Sequence, residues 1–135
     1  MFYDFAITVP AGRAEATPLI YDMQLTKGVL HRMEVGFRAG CDHRVYCRIL
    51  RGNYQLFPTD QGGAFCADDY TIAFDDSFDL ADEPLILRAV CYAPTSTYPH
   101  IITVRIGVID NSMALFLLKM ARGLQKMLQL MRIPV

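Results

Sequence analysis

Eight carboxylates fall between Asp60 and Glu83: Asp60, Asp68, Asp69, Asp75, Asp76, Asp79, Asp82 and Glu83, with no basic residue among them. Oxygen-rich loops of this kind suit a hard cation such as Ca²⁺, which takes about six to eight oxygen ligands. The D-x-D-x-D-G spacing of an EF-hand is absent. The expectation is therefore no bound cofactor. The cluster reads as solvated loops, or as a negative patch facing a basic partner, with Ca²⁺ at Asp60 to Glu83 as the alternative.

The other reactive residue types are scattered. The histidines are His31, His43 and His100, and only Cys41 with His43 stands close in sequence. A zinc site needs several ligands converging on one point, which one pair does not supply. Of the cysteines, Cys41, Cys47, Cys66 and Cys91, none are spaced C-x-x-C. Cys47 and Cys91 each sit in an apolar run, where a free thiol packs as a small hydrophobe. Ser77, Ser96 and Ser112 lie in no G-x-S-x-G turn. No glycine-rich phosphate loop is present, and no carboxylate pair can be singled out for acid–base work. The chain is expected not to be an enzyme, with no catalytic residue, metal ligand or small-molecule substrate to name.

Two patterns fit binding instead. Arg44, Tyr46 and Arg48 alternate outward on one strand, the combination used by single-stranded nucleic-acid binders. The net charge of −1 argues against such a partner. Tyr46, Tyr54, Tyr70, Tyr92 and Tyr98 could act as stacking platforms for a carbohydrate, although the chain has no Trp.

The clearest asymmetry is in the charge. All 14 acidic residues and nine of the 13 basic ones lie in 1–110, leaving that part at −5, while the tail carries +4 from Lys119, Arg122, Lys126 and Arg132. In the tail, Met113, Phe116, Leu117, Met120, Leu124, Met127, Leu128 and Met131 recur at i, i+3, i+4 and i+7, the period of an amphipathic helix. Asp110, Asn111 or Ser112 can cap its start by accepting a bond from a free first-turn N–H, and Pro134 ends the pattern. Leu115, Leu118 and Leu130 lie off the main stripe, so the apolar surface exceeds one face. The helix can lie on its own domain, associate with other copies or a partner through its adaptable methionines, or rest on an anionic membrane surface with its basic residues outward. It is too interrupted to span a bilayer, since the longest apolar run of the tail, Met113 to Leu118, has six residues. Asp4 and Arg13 interrupt any early signal-peptide-like run.

The elements that must position these residues are strands. Phe2–Val9, Pro18–Thr26, Val29–Phe37, Arg44–Leu50, Tyr70–Phe74, Pro84–Tyr92 and His100–Ile109 alternate in hydropathy, or are apolar throughout, between turn residues; Tyr54–Phe57 is a brief apolar piece, and Ser77–Leu80 is the candidate for an eighth strand. On the third, Val29, His31, Met33, Val35 and Phe37 are assigned inward. On the last, Ile102, Val104, Ile106 and Val108 form a β-branched row. No long helical pattern lies between the strands, so a βαβ layout is not expected. The fold class is all-β: an antiparallel sandwich or jelly roll of seven to eight strands over 1–110, followed by a basic amphipathic helix over 111–135.

Three blocks carry a resemblance: Leu25-Thr26-Lys27-Gly28-Val29-Leu30-His31-Arg32-Met33-Glu34-Val35, the exit Phe37-Arg38-Ala39-Gly40-Cys41, and the closing Ile102-Thr103-Val104-Arg105-Ile106-Gly107-Val108. In texture the strand region resembles small β-sandwich structural proteins of phage and virus modules. That resemblance implies a virion or cytoplasmic assembly protein, a homo-oligomer or a neighbour of other structural subunits. On this reading the interaction residues are Met113, Phe116, Leu117, Lys119, Met120, Arg122, Leu124, Lys126, Met127, Leu128 and Met131.

Overall fold

The computed structural model describes residues 1–131, and the side chains of all of these except 111–115 and 118. Eight strands precede one helix: β1 (Phe2–Val9), β2 (Leu19–Gln24), β3 (Gly28–Phe37), β4 (Tyr46–Arg51), β5 (Tyr54–Phe57), β6 (Tyr70–Leu80), β7 (Ile86–Tyr92), β8 (His100–Asp110) and α1 (Asn111–Leu130). The strands form two four-stranded antiparallel sheets, ordered β1-β8-β3-β6 and β2-β7-β4-β5. Successive strands mostly pass from one sheet to the other, which is the winding of a jelly roll.

Period-two alternation explains why the sheets close on each other. Ile7 and Val9 of β1, Met33, Val35 and Phe37 of β3, and the Ile102-Val104-Ile106-Val108 row of β8 are buried from one side. Met23 of β2, Cys47 and Ile49 of β4, and Leu87, Ala89 and Cys91 of β7 meet them from the other. Among the described residues, every member of this core cluster lies within the first 110. β7, nearly continuous in apolar character, lies between β2 and β4, where an interior strand belongs.

The structure corrects the sequence reading at two points. The alternation of β3 does not run unbroken from Val29 to Phe37. Leu30 pairs with Val108 and Arg32 with Gly107, so His31 is an extra residue in a bulge. The phase therefore shifts by one residue: Leu30 is buried, while Val29 and His31 are only half-buried. Gly107 lies under the bulge, where a Cβ would stand 2.8 Å from His31 Nε2, so a side chain there would require the imidazole to move. Likewise Tyr70–Phe74 and Ser77–Leu80 are not two strands. They are one strand, β6, whose pairing with β3 slips past Asp76 and Ser77. In both cases a local irregularity was invisible in the hydropathy pattern because the partner strand imposes it.

One buried amide organises the 58–63 loop. Gln55 is 5% exposed, and its Nε2 donates to the carbonyls of Pro58, Asp60 and Gly63 at 2.8, 3.2 and 3.1 Å. Gln61 Nε2 in turn donates to the Gln55 carbonyl. At the far end of β4, the Arg51 guanidinium donates to the Asp82 and Pro84 carbonyls and lies over the Phe78 ring. It ties the β6–β7 connection to the neighbouring sheet.

Candidate functional site

β8 runs into α1 without a loop, so the direction of the helix is set by the end of a strand paired to β3. Asp110, the last residue of β8, pairs with Gly28 and precedes the first helical residue, the position of a cap. A Cβ on Gly28 would stand 2.2 Å from the Ile109 carbonyl oxygen. Only glycine allows β3 and β8 to approach this closely where the helix departs. Among the described residues, α1 meets the body at β3 and β8.

The helix consequently shows its apolar residues to solvent. Phe116 is 57% exposed, Leu117 48%, Met120 57%, Leu124 58%, Met127 58%, Leu130 84% and Met131 65%. Leu128 is half-buried, and Lys119, Arg122 and Lys126 are exposed. The side chains of Met113, Leu115 and Leu118 lie outside those described, as do residues 132–135, which include Arg132 and Pro134. A monomeric soluble domain rarely leaves a row of large apolar side chains uncovered. No helix among the described residues is long and apolar enough to cross a membrane.

The acids do not gather. Asp75, Asp76 and Asp79 are exposed along β6, an edge strand, where charge discourages unwanted strand pairing. Asp75 accepts a 2.9 Å bond from Arg32, which also reaches Glu34 at 3.3 Å, and Arg105 faces Asp4 at 3.6 Å. Asp82 and Glu83 are exposed beyond the strand. Asp68 turns inward on the chain, its Oδ1 accepting from the backbone N–H groups of Gly40 and Asp42 at 3.0 and 3.1 Å. Those two bonds, the Asp42 one first, hold its carboxyl below the usual range, with His43 adding a smaller electrostatic contribution. Among the described residues, no three of His, Cys, Asp and Glu are grouped so as to hold a metal.

Cys41 and His43 are separated by burial, the thiol inside and the imidazole exposed. The four cysteines are free. Cys47 and Cys91, opposite each other on β4 and β7, bring their sulfurs to 3.6 Å. The Cys91 contact and full burial push the Cys47 thiol well above its ordinary range.

The aromatic platform reading needs one correction. Tyr54, Tyr70 and Tyr98 are exposed, but Tyr92 is only 6% exposed. It is covered because Tyr46, its partner across β4 and β7, stacks on it at 5.0 Å, and the Arg48 guanidinium lies 5.6 Å from its ring centre. Arg48 Nε is buried with no hydrogen-bond partner among the described residues. Glu15, Gly62, Ala64 and Pro94 join the two tyrosines around a shallow cleft. Burial pushes the Tyr92 hydroxyl up, and the Glu15 charge adds to the shift. Cross-strand pairing assembled this cluster; the sequence showed only that Tyr46 and Arg48 face outward together. Arg44 lies outside β4 and pairs with Asp42 at 3.6 Å.

No family model matches this sequence, and no curated protein matches it.

Proposed function

We propose that this chain is a non-enzymatic structural protein, a component of a virion or a comparable particle, with a jelly-roll body as the building block and α1 as a contact element. The observation that carries the reading is the exposed apolar surface of the helix beside a body whose described core residues all come from the strands and their connections. The charge division supports it: a helix bearing Lys119, Arg122 and Lys126 can meet the acidic edge strand of a neighbour, where Asp76 and Asp79 stand exposed. The jelly roll supports it by analogy alone, since this architecture serves capsid subunits and lectin domains alike. The test is native mass and negative-stain imaging of the whole chain across concentration and salt. Discrete oligomers or particles are expected, weakened by salt. A single 15.2 kDa species under all conditions sinks the proposal.

A second reading, a carbohydrate- or ligand-binding module, is favoured by one observation: the stacked Tyr46 and Tyr92 beside Glu15 and the unpaired Arg48 Nε. Glycan-array binding that disappears in Tyr46→Ala supports it. Silence of the array with and without Ca²⁺ removes it.

A further inference from the structure

Within the assembly reading just proposed, on which this inference rests, the structure assigns the partner of α1: the same helix from other copies of this chain, in a parallel bundle of three or more. The first argument is spacing. Leu117, Met120, Leu124, Met127 and Met131 follow one another at intervals of three, four, three and four residues. This is the 3.5-residue period of a coiled-coil seam, with Leu117, Leu124 and Met131 at one core position and Met120 and Met127 at the other. All five are between 48% and 65% exposed.

The second argument is what flanks the seam. The positions that border it in such a bundle hold Phe116, Ala121, Gly123, Leu128 and Leu130, with no charge among them. Two helices would bury the seam and leave Phe116 and Leu130 in water. Three or more bury the flanks as well. The charges sit elsewhere on the helix: Lys119 and Lys126 share one position of the repeat and Arg122 lies opposite the seam, so identical helices can approach without like charges meeting. Gly123 fits this arrangement. A glycine inside an exposed helix is unfavourable relative to alanine, and among the described residues nothing lies within 4 Å of where its Cβ would be. Beside a neighbouring helix, the missing Cβ allows closer approach.

The third argument is area. At their observed exposures, the five seam residues with Phe116 and Leu130 present on the order of 800 Å², which is what one partner contributes to an ordinary stable interface. The helix adds reach: its 20 residues extend about 30 Å from the body.

The experiment measures native mass of the whole chain, with three variants. Wild type is expected at three or more times 15.2 kDa. Leu117→Asp/Leu124→Asp should fall to the single-chain mass while the body keeps its cooperative unfolding. Gln125→Glu/Gln129→Glu, off the seam and away from the basic residues, should retain the wild-type mass. Met120→Cys in a Cys66→Ser background should cross-link to itself under mild oxidation, as a parallel bundle requires. An assembly that survives the seam variant overturns this inference and leaves the assembly reading standing. A wild-type monomer at every concentration overturns both. A monomer that binds anionic phosphatidylserine vesicles through the same seam residues replaces the helix partner with a membrane surface. Self-association without the Met120→Cys cross-link overturns the parallel arrangement.

Discussion

Methionine and leucine meet opposite fates in the two parts of this molecule. In the body, Met23, Met33, Leu30 and Leu87 are 0% exposed; on the helix, Met120, Met127 and Leu124 are 57% to 58% exposed. The residue types are the same, so composition does not separate the two regions. Geometry does. Two twisted sheets present facing inner surfaces that cover each other, whereas a single helix leaving the end of a strand has no opposite surface. Fully burying a side chain of this size contributes about 1.5–3 kcal/mol. The body gains that repeatedly, and the helix gains little of it from its own chain. An isolated helix of about this length is marginal in water, because its stability normally comes from packing one face. The two parts therefore differ in what they bury: the body encloses its apolar side chains between two sheets, and the described apolar side chains of the helix stay largely in solvent in the single chain.

The largest expected effect breaks this comparison directly. Ile106→Ala, at a fully buried position of β8, should cost about 2–5 kcal/mol in urea unfolding followed by tyrosine fluorescence. Leu124→Ala on the helix should change the same transition by less than about 0.5 kcal/mol in dilute protein. Equal losses at the two sites would show that the helix packs on its own body and would remove the contrast.

This difference explains how much could be read in the sequence. Alternation made the strands legible, as in the Ile102-Val104-Ile106-Val108 row, because a half-buried strand repeats every two residues whatever its partner. It failed at His31 and at Asp76, where a partner strand imposes a bulge. The helix was legible in period and charge, but whether its apolar face would be covered depended on the direction in which β8 released it. That direction follows from the close β3–β8 pairing at Gly28, which no single segment encodes. The Tyr46, Tyr92 and Arg48 cluster was hidden for a related reason: Tyr46 and Tyr92 are 46 positions apart in the chain and meet only through strand pairing. Tyr92 therefore looked like an exposed platform until its cover was in place.

A smaller effect sharpens the comparison inside the body. Burial there extends to a polar group that is hydrogen-bonded, as Gln55 Nε2 is to three carbonyls. Gln55→Leu keeps roughly the volume and removes the donor. The half-buried Pro58 and Gly63 carbonyls lose their partner, whereas the Asp60 carbonyl keeps the Gly63 N–H, and the loss should cost about 1–3 kcal/mol. The loss should appear as a lower urea midpoint with little change in slope, together with faster proteolysis in the 58–63 loop. An unchanged midpoint would mean that the loop holds itself.

The smallest effect lies at the surface of the body, where charge rather than burial does the ordering. Asp68 bridges the Gly40 and Asp42 amides and closes a turn in which Asp42 and His43 both have positive φ, at 49° and 55°. Left-handed backbone is costly for residues with a Cβ, so the carboxylate offsets part of that cost. Its folded pKa lies below its unfolded one. The unfolded state therefore takes up protons first as pH falls, and the contribution is present above the ordinary carboxylate range and lost as pH drops through the lowered folded value. Asp68→Ala should be less stable than wild type at neutral pH, and the gap should narrow on acidification below about pH 4. Because Asp68 is solvent-exposed, the gap should be modest and best resolved by comparing urea midpoints of the two proteins across pH. The seam variant Leu117→Asp/Leu124→Asp should show the same narrowing when Asp68→Ala is added to it, because the turn belongs to the body and the helix does not reach it. A gap that is constant with pH would assign the turn to its backbone alone and remove the carboxylate from the account.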